Sequence, residues 1–416
     1  MKLLWLCNSP PGVVRAHISG KPAGAVNWVD HVLDGLRGQG LTLRILFRGI
    51  GGSGCLDENC SYASFGEELP HVYKPEQEVF FRQEIRQFQP DVIHSWGVEY
   101  NHALALVNAA EAEGMLNRTV ASIQGLCGFI ADHYTDGIPQ KDVNRSTFRD
   151  LVRRDNIARQ QEKFRLRGEL EKQTIRKLRH VIGRTSWDYA RAKEWNPAIQ
   201  YHFCNETLRQ SFYEDRWNYE TCRKHSVFAS SCSYPVKGFH YLLEAMSQVR
   251  KTYPDAVITV TGGSYLGGSW KTRLRRGGYE AYLQKLTKRY HLEESIQFLG
   301  NLSAEEMKQA FLASNVFVLP STMENSPNSL GEAMLLGVPS VAADVGGVRD
   351  MMKDPEEGRV YSAGDVDALA KHILELFAME ERAATMGRKA RGHARVTHDP
   401  ETNLETLLTI YRRLGE

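Results

Sequence analysis

Residues 315–347 have the sequence NVFVLPSTMENSPNSLGEAMLLGVPSVAADVGG. Short apolar runs at residues 316–319 and 340–343 predict two strands. Between them, Ser326 followed by Pro327 is typical of a helix N-cap and first helical residue. The stretch therefore predicts strand, loop, helix and strand, with the helix over about residues 327–336.

The predicted helix start separates two carboxylates. Glu324 lies in the loop before the helix, and Glu332 lies within the helix, eight residues later. Free backbone N–H groups at a helix start favour an anion such as a diphosphate. The alternative is a plain strand-helix-strand unit with two solvated glutamates, since acidic residues are common near helix starts.

A known family signature resembles this stretch. Retaining glycosyltransferases of family 4 carry a Glu-x7-Glu motif, which is similar to the run Glu324-Asn-Ser-Pro-Asn-Ser-Leu-Gly-Glu332-Ala-Met, followed by Gly337-Val-Pro and Gly346-Gly347. The resemblance implies the α/β GT-B fold, in which two Rossmann-like doubly wound domains face a central cleft. It also implies that Glu324 is catalytic and faces the donor sugar, while Glu332 grips the nucleotide ribose. The amides between them would hold the donor diphosphate, which adds the donor-binding positions Asn325, Ser326, Asn328, Ser329 and Leu330.

Length and composition agree with two ordinary globular domains. A chain of 416 residues is long for one core, and its net charge of +2 provides no global basic footprint for nucleic acid. The seven cysteines are scattered, and the close pair Cys55 and Cys60 has no second pair to complete a zinc site. There is no run of about 18 apolar residues, and the N-terminus indicates a buried strand instead of a signal peptide. We expect a cytoplasmic protein without a nucleic-acid partner.

The N-terminal region has the pattern of a Rossmann-like opening. It consists of an apolar strand at residues 3–6, a loop at 8–24, a helical pattern that ends at Gly38 and a strand at 41–47. By resemblance, residues 1–203 form an acceptor domain and residues 204–395 a nucleotide-sugar-binding domain. Residues 396–416 would form a helix that crosses back to the first domain.

Gly24 is the donor-binding candidate in this opening loop. The family places a glycine-containing loop against the donor phosphate, usually as a Gly-Gly pair, whereas this chain has Ala23-Gly24-Ala25. A lone glycine in such a loop is also compatible with a simple turn.

Two residues are candidates for the acceptor side. His94 ends a predicted strand at residues 91–97, at the edge where open α/β sheets bind ligands. A structural histidine with satisfied ring nitrogens is the alternative. Gln124 stands where the family often has a histidine near the acceptor. Glutamine cannot transfer a proton, but in retaining transfer the departing diphosphate is thought to accept it.

Lys237 is the second catalytic candidate. It lies at the predicted start of a helix, where it is positioned to pair with a phosphate, although an exposed lysine in a turn is the alternative. In the family, an arginine five residues earlier clamps the diphosphate together with this lysine, and here that position is Cys232. Either another cation compensates, with Arg184 and Arg349 as guesses, or donor affinity is reduced.

Two further donor-binding candidates follow other predicted strands. Gly263 lies in the turn after the strand at residues 257–261, and Phe298 lies in the strand at 296–300, whose end resembles the family's base-binding edge. No metal is expected. Asp365 and Asp367 precede an apolar helical pattern and are predicted to cap that helix instead of binding an ion.

The segment of residues 141–184 is basic, with 14 Lys and Arg against 6 Asp and Glu. Its apolar spacing predicts amphipathic helices. The hypothesis left open beside a solvated helical face is contact with an anionic membrane or a lipid-diphosphate acceptor. The Gly- and Arg-rich insertion at residues 264–278 has the same two alternatives: contact with an anionic substrate, or a solvated loop.

These expectations combine into one functional hypothesis. The protein would be a retaining glycosyltransferase that moves a sugar from a UDP- or GDP-sugar to a saccharide or lipid-linked acceptor, in bacterial surface polysaccharide synthesis, at or near the inner face of the membrane. No cofactor is expected, because Lys237 and helix amides would stabilise the departing diphosphate. The alternatives are a sugar-nucleotide epimerase of the same fold and a non-catalytic nucleotide-sugar-binding relative.

Overall fold

The computed structural model describes residues 1–21, 28–66 and 68–416. The chain forms two compact units, each with its own sheet. The first unit comprises Met1–Phe129, Phe164–Arg209 and His398–Glu416. The second unit comprises Ile130–Lys163 and Gln210–Thr397. The predicted α/β class with two Rossmann-like halves is confirmed.

The strands are short and mostly buried. In chain order they are β1 (Lys2–Cys7), β2 (Thr42–Phe47), β3 (Ser53–Asp57), β4 (Cys60–Ser64), β5 (Val92–Ser95), β6 (Thr119–Ser122), β7 (His180–Gly183), β8 (Gln200–Phe203), β9 (Arg223–Ala229), β10 (Val257–Val260), β11 (Ile296–Phe298), β12 (Ser314–Leu319), β13 (Ser340–Asp344) and β14 (Arg359–Ser362).

Helices connect most of the strands. They are α1 (Gly12–Ser19), α2 (Trp28–Leu36), α3 (Glu76–Phe88), α4 (Asn101–Ala112), α5 (Cys127–Asp132), α6 (Gln140–Val143), α7 (Phe148–Arg153), α8 (Ile157–Lys177), α9 (Ser186–Trp195), α10 (Phe239–Thr252), α11 (Trp270–Leu274), α12 (Gly278–Arg289), α13 (Ala304–Leu312), α14 (Asn328–Leu336), α15 (Val348–Met351), α16 (Val366–Ala378), α17 (Glu380–Thr397) and α18 (Pro400–Gly415).

The sheet of the first unit has the strand order β3-β4-β2-β1-β5-β6-β7-β8. Its strands pair in parallel except for β3, which forms an antiparallel hairpin with β4. The order reverses between β1 and β5, which is the position where open α/β sheets form a ligand crevice at the carboxyl ends of the strands. The C-terminal helix α18 packs on this unit, where the Trp5 indole N–H donates to the Tyr411 hydroxyl at 3.2 Å.

The sheet of the second unit is parallel throughout, in the order β11-β10-β9-β12-β13-β14. Its strands β9 and β12 lie side by side at the reversal of order, with Phe228 opposite Phe317. Residues 130–163 belong to this unit, and one anchor is the His240 ring, whose Nε2 contacts the carbonyl of Asp136 at 3.0 Å. The loops that follow β9 and β12 therefore meet at one edge of the sheet.

Two local predictions were wrong. The loop expected at residues 8–24 contains helix α1, which begins after Pro11 and ends at Gly20 in the left-handed conformation (φ 64°). Helix α14 begins one residue later than predicted, because Pro327 is its extended N-cap (ψ 111°). The hydroxyl of Ser326 lies 3.5 Å from the sulfur of Met351. The predicted cap at Asp365 is confirmed, since its carboxylate accepts from the Ala368 N–H at 2.9 Å.

Candidate functional site

The loops after β9 and β12 bring two predicted residues into direct contact. Lys237 ends a short 3₁₀ turn, Pro235–Lys237, just before α10. Its ammonium lies 2.6 Å from Glu324 Oε1, and the Ser321 hydroxyl donates to the same oxygen at 2.7 Å. The sequence placed both residues near a donor, and the structure joins them in one hydrogen-bonded group.

This group is only partly accessible to water. The Glu324 side chain is 11% exposed and that of Lys237 is 35% exposed. A carboxylate in such a position needs a charged partner and additional donors, because desolvation of an unpaired charge costs several kcal/mol. Lys237 and Ser321 supply both, and the exposed remainder of the lysine leaves N–H donors for an incoming anion.

Two glycines permit the backbone approach on which this geometry depends. Gly238 (φ 63°) lies against the Pro320 carbonyl, and Gly346 (φ 52°) lies against the Glu324 carbonyl. A Cβ atom at either position would overlap that oxygen. The Thr322 N–H also donates to the Val236 carbonyl at 2.8 Å. The loop of Glu324 is thus held from both sides by main-chain contacts.

Helix α14 carries the remaining residues of the predicted donor-binding stretch. Glu332 is buried within the helix, together with Asn325 in the preceding loop and Leu330 in the first turn. Asn328 and Ser329 are partly exposed at the helix start. The Leu330 N–H already donates to the Pro327 carbonyl at 2.9 Å.

Gly263 and Phe298 lie at the same edge of the second sheet. Gly262 and Gly300 exchange main-chain hydrogen bonds of 2.9 and 3.2 Å, which join the ends of β10 and β11. A Cβ on the adjacent Gly263 would meet no atom within 4 Å among the described residues. The Phe298 ring packs edge-on against Tyr265 at 5.0 Å. Gly24 lies outside the described residues.

Cys232 does not supply the cation that the family has at its position. Its thiol is buried beside the Thr261 carbonyl, and burial raises its pKa to about 12, so it is neutral near pH 7. The two guessed replacements already have carboxylate partners. Arg184 is buried in the first unit and pairs with Glu206 at 2.6 Å, and Arg349 pairs with Asp344 at 2.7 Å.

His94 lies in the core of the first unit. Its ring nitrogens contact the Tyr411 hydroxyl at 2.6 Å and the Ser122 hydroxyl at 2.8 Å, and its ring lies 3.9 Å from that of Trp96. Burial lowers its pKa to about 3, so the imidazole is neutral. These contacts favour the structural role that the sequence left open.

Gln124 belongs to a different network. Its amide donates to Glu206 at 2.8 Å, and its carbonyl oxygen lies 3.5 Å from the Arg184 guanidinium. Both partners are buried and form the ion pair of the first unit described above. Gln124, which follows strand β6, therefore belongs to a hydrogen-bonded network with the buried ion pair of Arg184 and Glu206.

A further polar cluster was missed by the sequence analysis. At the carboxyl edge of the first sheet, Asn8 donates to the Glu99 carboxylate at 3.0 Å, and the Arg167 guanidinium donates to the Glu99 carbonyl at 3.0 Å. The Arg167 guanidinium also lies 4.5 Å from the Tyr100 ring. Burial raises the pKa of Glu99, and the pKa of the nearby Glu171 lies well above its ordinary value for the same reason.

Part of this cluster had a sequence signal. Asn8 and Glu99 follow strand ends, and polar residues at the carboxyl ends of strands are the usual ligand contacts of an open α/β sheet. Arg167 had no such signal, because it is one of many basic residues along α8. Its role is visible only in the folded structure, where it contacts Glu99.

Known proteins resemble the region that contains the Lys237 and Glu324 pair. Residues 223–393 match the family model described as "Glycosyl transferases group 1". A mannosyltransferase of Corynebacterium glutamicum, named as GDP-mannose-dependent and acting on a monoacylated phosphatidylinositol monomannoside, is 30% identical over 191 residues. This match covers 44% of this chain and 46% of that protein.

Other relatives have similar names. A GDP-mannose-dependent phosphatidylinositol monomannoside mannosyltransferase of Mycolicibacterium smegmatis is 29% identical, over 38% of this chain and 40% of that protein. The matched part of the chain thus spans less than half the length of these relatives.

Solved structures resemble the whole chain. Sucrose-phosphate synthase from Thermosynechococcus elongatus superposes with a TM-score of 0.72 at 18% identity, covering 100% of this chain and 99% of that one. Anabaena HepE in complex with UDP-glucose gives 0.66 at 17% identity, with 99% of both chains covered. The fold is GT-B, and the comparisons together support a place in the glycosyltransferase superfamily.

Neither a membrane-spanning helix nor a cluster of metal ligands occurs in the described part of the chain. No helix there is both long enough and apolar enough to cross a bilayer. Nor do three or more His, Cys, Asp or Glu side chains converge there in a group that would hold a metal ion.

Proposed function

We infer that this protein is a retaining glycosyltransferase that transfers a sugar from a UDP- or GDP-sugar to a saccharide or lipid-linked acceptor. The observation that carries this proposal is the contact of Lys237 with Glu324, at the carboxyl edge of a parallel sheet and within the part that matches group 1 glycosyl transferases. The named relatives use GDP-mannose or are solved with UDP-glucose, which supports the donor class.

Lys237 would bind the donor diphosphate together with the N–H groups at the start of α14. These donors stabilise the negative charge that grows on the diphosphate as its bond to the anomeric carbon breaks. Because Glu324 holds the lysine through one oxygen, the ammonium is oriented before the donor arrives. The second unit, which contains most of the proposed domain of residues 204–395, would thus bind the donor.

The reaction needs a site for the acceptor, which we place on the first unit, in the part that it shares with the proposed domain of residues 1–203. The acceptor hydroxyl would attack the anomeric carbon on the face that the diphosphate leaves, and its proton would pass to the departing phosphate oxygen. Neither His94 nor Gln124 is needed as a base in this scheme. The cluster of Asn8, Glu99 and Arg167 provides donors and acceptors for sugar hydroxyls at the edge of that sheet.

Lipid-linked acceptors and surface polysaccharide synthesis are the finer part of the proposal. The relatives act on phosphatidylinositol mannosides according to their names, which supports a lipid-linked acceptor. We therefore also propose a cytoplasmic protein that works at the inner face of the membrane. As a separate part of the proposal, Gly24, Gly263 and Phe298 are further contacts of the donor.

The test is incubation of the purified protein with labelled UDP- and GDP-sugars, with and without saccharide and lipid-diphosphate acceptors. Transfer to an acceptor with the donor's anomeric configuration, measured by NMR of the product, is the expected result. An isomerised nucleotide-sugar would identify an epimerase instead. Binding without turnover would identify a non-catalytic relative, for which the neutral Cys232 in place of the family's arginine is the specific argument.

A further inference from the structure

Helix α7 displays apolar side chains to solvent. Phe148 is 59% exposed, Leu151 is 66% exposed and Val152 is 69% exposed. The helix is nevertheless well fixed, because Thr147 and Asp150 form a capping box at its start and Asp150 is buried. A short, anchored helix that directs three large apolar residues outward costs solvation free energy unless another surface covers them.

A second short helix of the same unit also exposes apolar side chains to solvent. In α11, which lies in the insertion of residues 264–278, Trp270 is 68% exposed and Leu274 is 40% exposed. The chain then turns into α12 at Gly277, where the Arg149 guanidinium of α7 would lie 3.2 Å from an added Cβ. A Cβ added to the next glycine, Gly278, would lie 3.1 Å from the Asp150 carboxylate. Helix α7 therefore lies close to the start of α12, and three residues separate α11 from α12.

The charges around these apolar residues have one sign. Among the described residues, five exposed arginines of the two segments have no carboxylate partner: Arg145, Arg153, Arg154, Arg273 and Arg275. The acidic residues nearby are neutralised, since Asp150 pairs with Arg149 and Asp155 pairs with Lys163. The two segments thus combine exposed apolar side chains with exposed arginines that have no carboxylate partner among the described residues.

We propose that α7 and α11 together form a docking surface for an anionic lipid bilayer. Phe148, Leu151, Val152, Trp270 and Leu274 would enter the boundary between headgroups and acyl chains, while the arginines contact lipid phosphates. Trp, Phe and Leu beside Lys or Arg are typical of segments that lie at this boundary. Helices of 6 and 5 residues are far too short to span the bilayer, so the contact is peripheral.

A single-stranded nucleic acid is the other polyanion to weigh against this surface. It would require aromatic platforms on which bases stack. Here three of the five exposed apolar residues, Leu151, Val152 and Leu274, are aliphatic and offer no ring on which a base could stack. The aliphatic content therefore favours lipid.

The structure also limits the surface. The basic segment predicted from sequence extends to residue 184, but several cations of its second half pair within the protein. Arg184 is buried in an ion pair, Arg167 contacts Glu99, and Lys177 pairs with Glu111 at 2.6 Å. The proposed surface therefore comprises α7 and the insertion of residues 264–278, and it excludes the second half of the basic segment.

The experiment is co-sedimentation of the full chain with vesicles of phosphatidylcholine alone and of phosphatidylcholine with phosphatidylglycerol. We expect binding to the anionic vesicles only, falling as salt rises. Arg153→Gln with Arg154→Gln should weaken it about tenfold to thirtyfold, since each charge near such a surface contributes about 1 kcal/mol. Phe148→Ser with Leu151→Ser should weaken it by a similar factor at any salt concentration.

Matched controls come from the same unit. Val396→Ser removes another exposed apolar residue, and Arg388→Gln with Lys389→Gln removes two other exposed charges, so both should bind like the parent. The tryptophan fluorescence of the parent should shift to shorter wavelength on vesicles, and Trp270→Phe should lose most of that shift while it still binds. Melting temperatures of all variants verify folding.

Three results would overturn the proposal: equal binding to neutral vesicles, parent-like binding by both α7 variants, or binding of single-stranded RNA with no binding of vesicles. The docking surface rests on the proposed work at the membrane, but its failure can be distinguished from failure of the transferase function. Vesicle binding can fail while transfer to a soluble acceptor persists, and transfer can fail while vesicle binding persists.

Discussion

Lys237 and Glu324 form an ion pair of 2.6 Å although they are 87 residues apart in the chain. The contact exists because β9 and β12 are neighbours in the sheet, and each residue lies in the loop that follows one of them. Each residue orients the other, so the two should act as a unit when one is changed.

The first prediction concerns this coupling. Glu324→Gln should lower kcat more than it raises the donor KM, and Lys237→Ala should worsen both, because the diphosphate is bound before reaction and gains charge as it leaves. Each loss should be about tenfold to a hundredfold, and the double variant should lose clearly less than the product of the two. A double-mutant cycle of steady-state kinetics measures this.

The control for the cycle is Arg412→Gln, which breaks an exposed ion pair with Glu405 in helix α18. It should leave the kinetics unchanged, since exposed pairs contribute little. Losses that simply multiply in the double variant would show that Lys237 and Glu324 act independently.

Sequence patterns predicted the architecture because strands and helices have characteristic local patterns of apolar and capping residues. The apolar runs at residues 316–319 and 340–343 are strands, and the Glu-x7-Glu stretch spans a loop and a helix start as expected. Local pattern could not reveal that Lys237 touches Glu324, since that depends on strand order. Nor could it show that residues 130–163 pack with the second unit, or that Arg167, among the basic residues of α8, is the one that donates to the Glu99 carbonyl.

The second prediction concerns Glu332, which is buried in α14. If its carboxylate accepts a hydrogen bond from the ribose, Glu332→Gln should weaken donor binding roughly tenfold to a hundredfold, a change of about 1.5–3 kcal/mol. Its kcat at saturating donor should stay near that of the parent. Calorimetric titration with UDP and GDP measures the affinity, and unchanged affinity for both would remove Glu332 from the site.

The third prediction distinguishes two glycines that are required for the folded structure from one that is required for donor binding. Gly238→Ala and Gly346→Ala should lower both melting temperature and activity, because a Cβ would overlap the carbonyls of Pro320 and Glu324. Gly263→Ala meets no such overlap and should melt like the parent. It should still bind donor more weakly if the donor approaches that backbone closely. Gly392→Ala, in open space on α17, is the control and should change neither property.

The fourth prediction is that transfer does not require a divalent metal ion, because Lys237 and the amides at the start of α14 take the role of stabilising the diphosphate. EDTA should leave the initial rate within about twofold of the untreated enzyme. Loss of transfer with EDTA, restored by magnesium or manganese, would contradict this mechanism.

The fifth prediction concerns stability and pH through Glu171. This carboxyl is completely buried on α8, and burial raises its pKa well above the ordinary 4.5, with the nearby Glu99 raising it further while Arg167 and the amides of Cys127 and Gly128 lower it. Because the folded-state pKa exceeds the unfolded-state value, the stability that Glu171 contributes is complete below about pH 4.5 and is lost as pH rises toward the folded-state pKa. Glu171→Gln removes this loss.

The variant should therefore be more stable than the parent near pH 7 to 8, by about 2–4 °C in melting temperature for each kcal/mol recovered, and the difference should disappear as pH falls toward 4.5. Thermal melts by circular dichroism across this range give the measurement. Glu169→Gln, an exposed neighbour on the same helix, should follow the parent at every pH. A Glu171→Gln protein that is less stable at neutral pH would mean that the ionised carboxylate holds Arg167 in place, because the partly buried cation then loses its counter-charge.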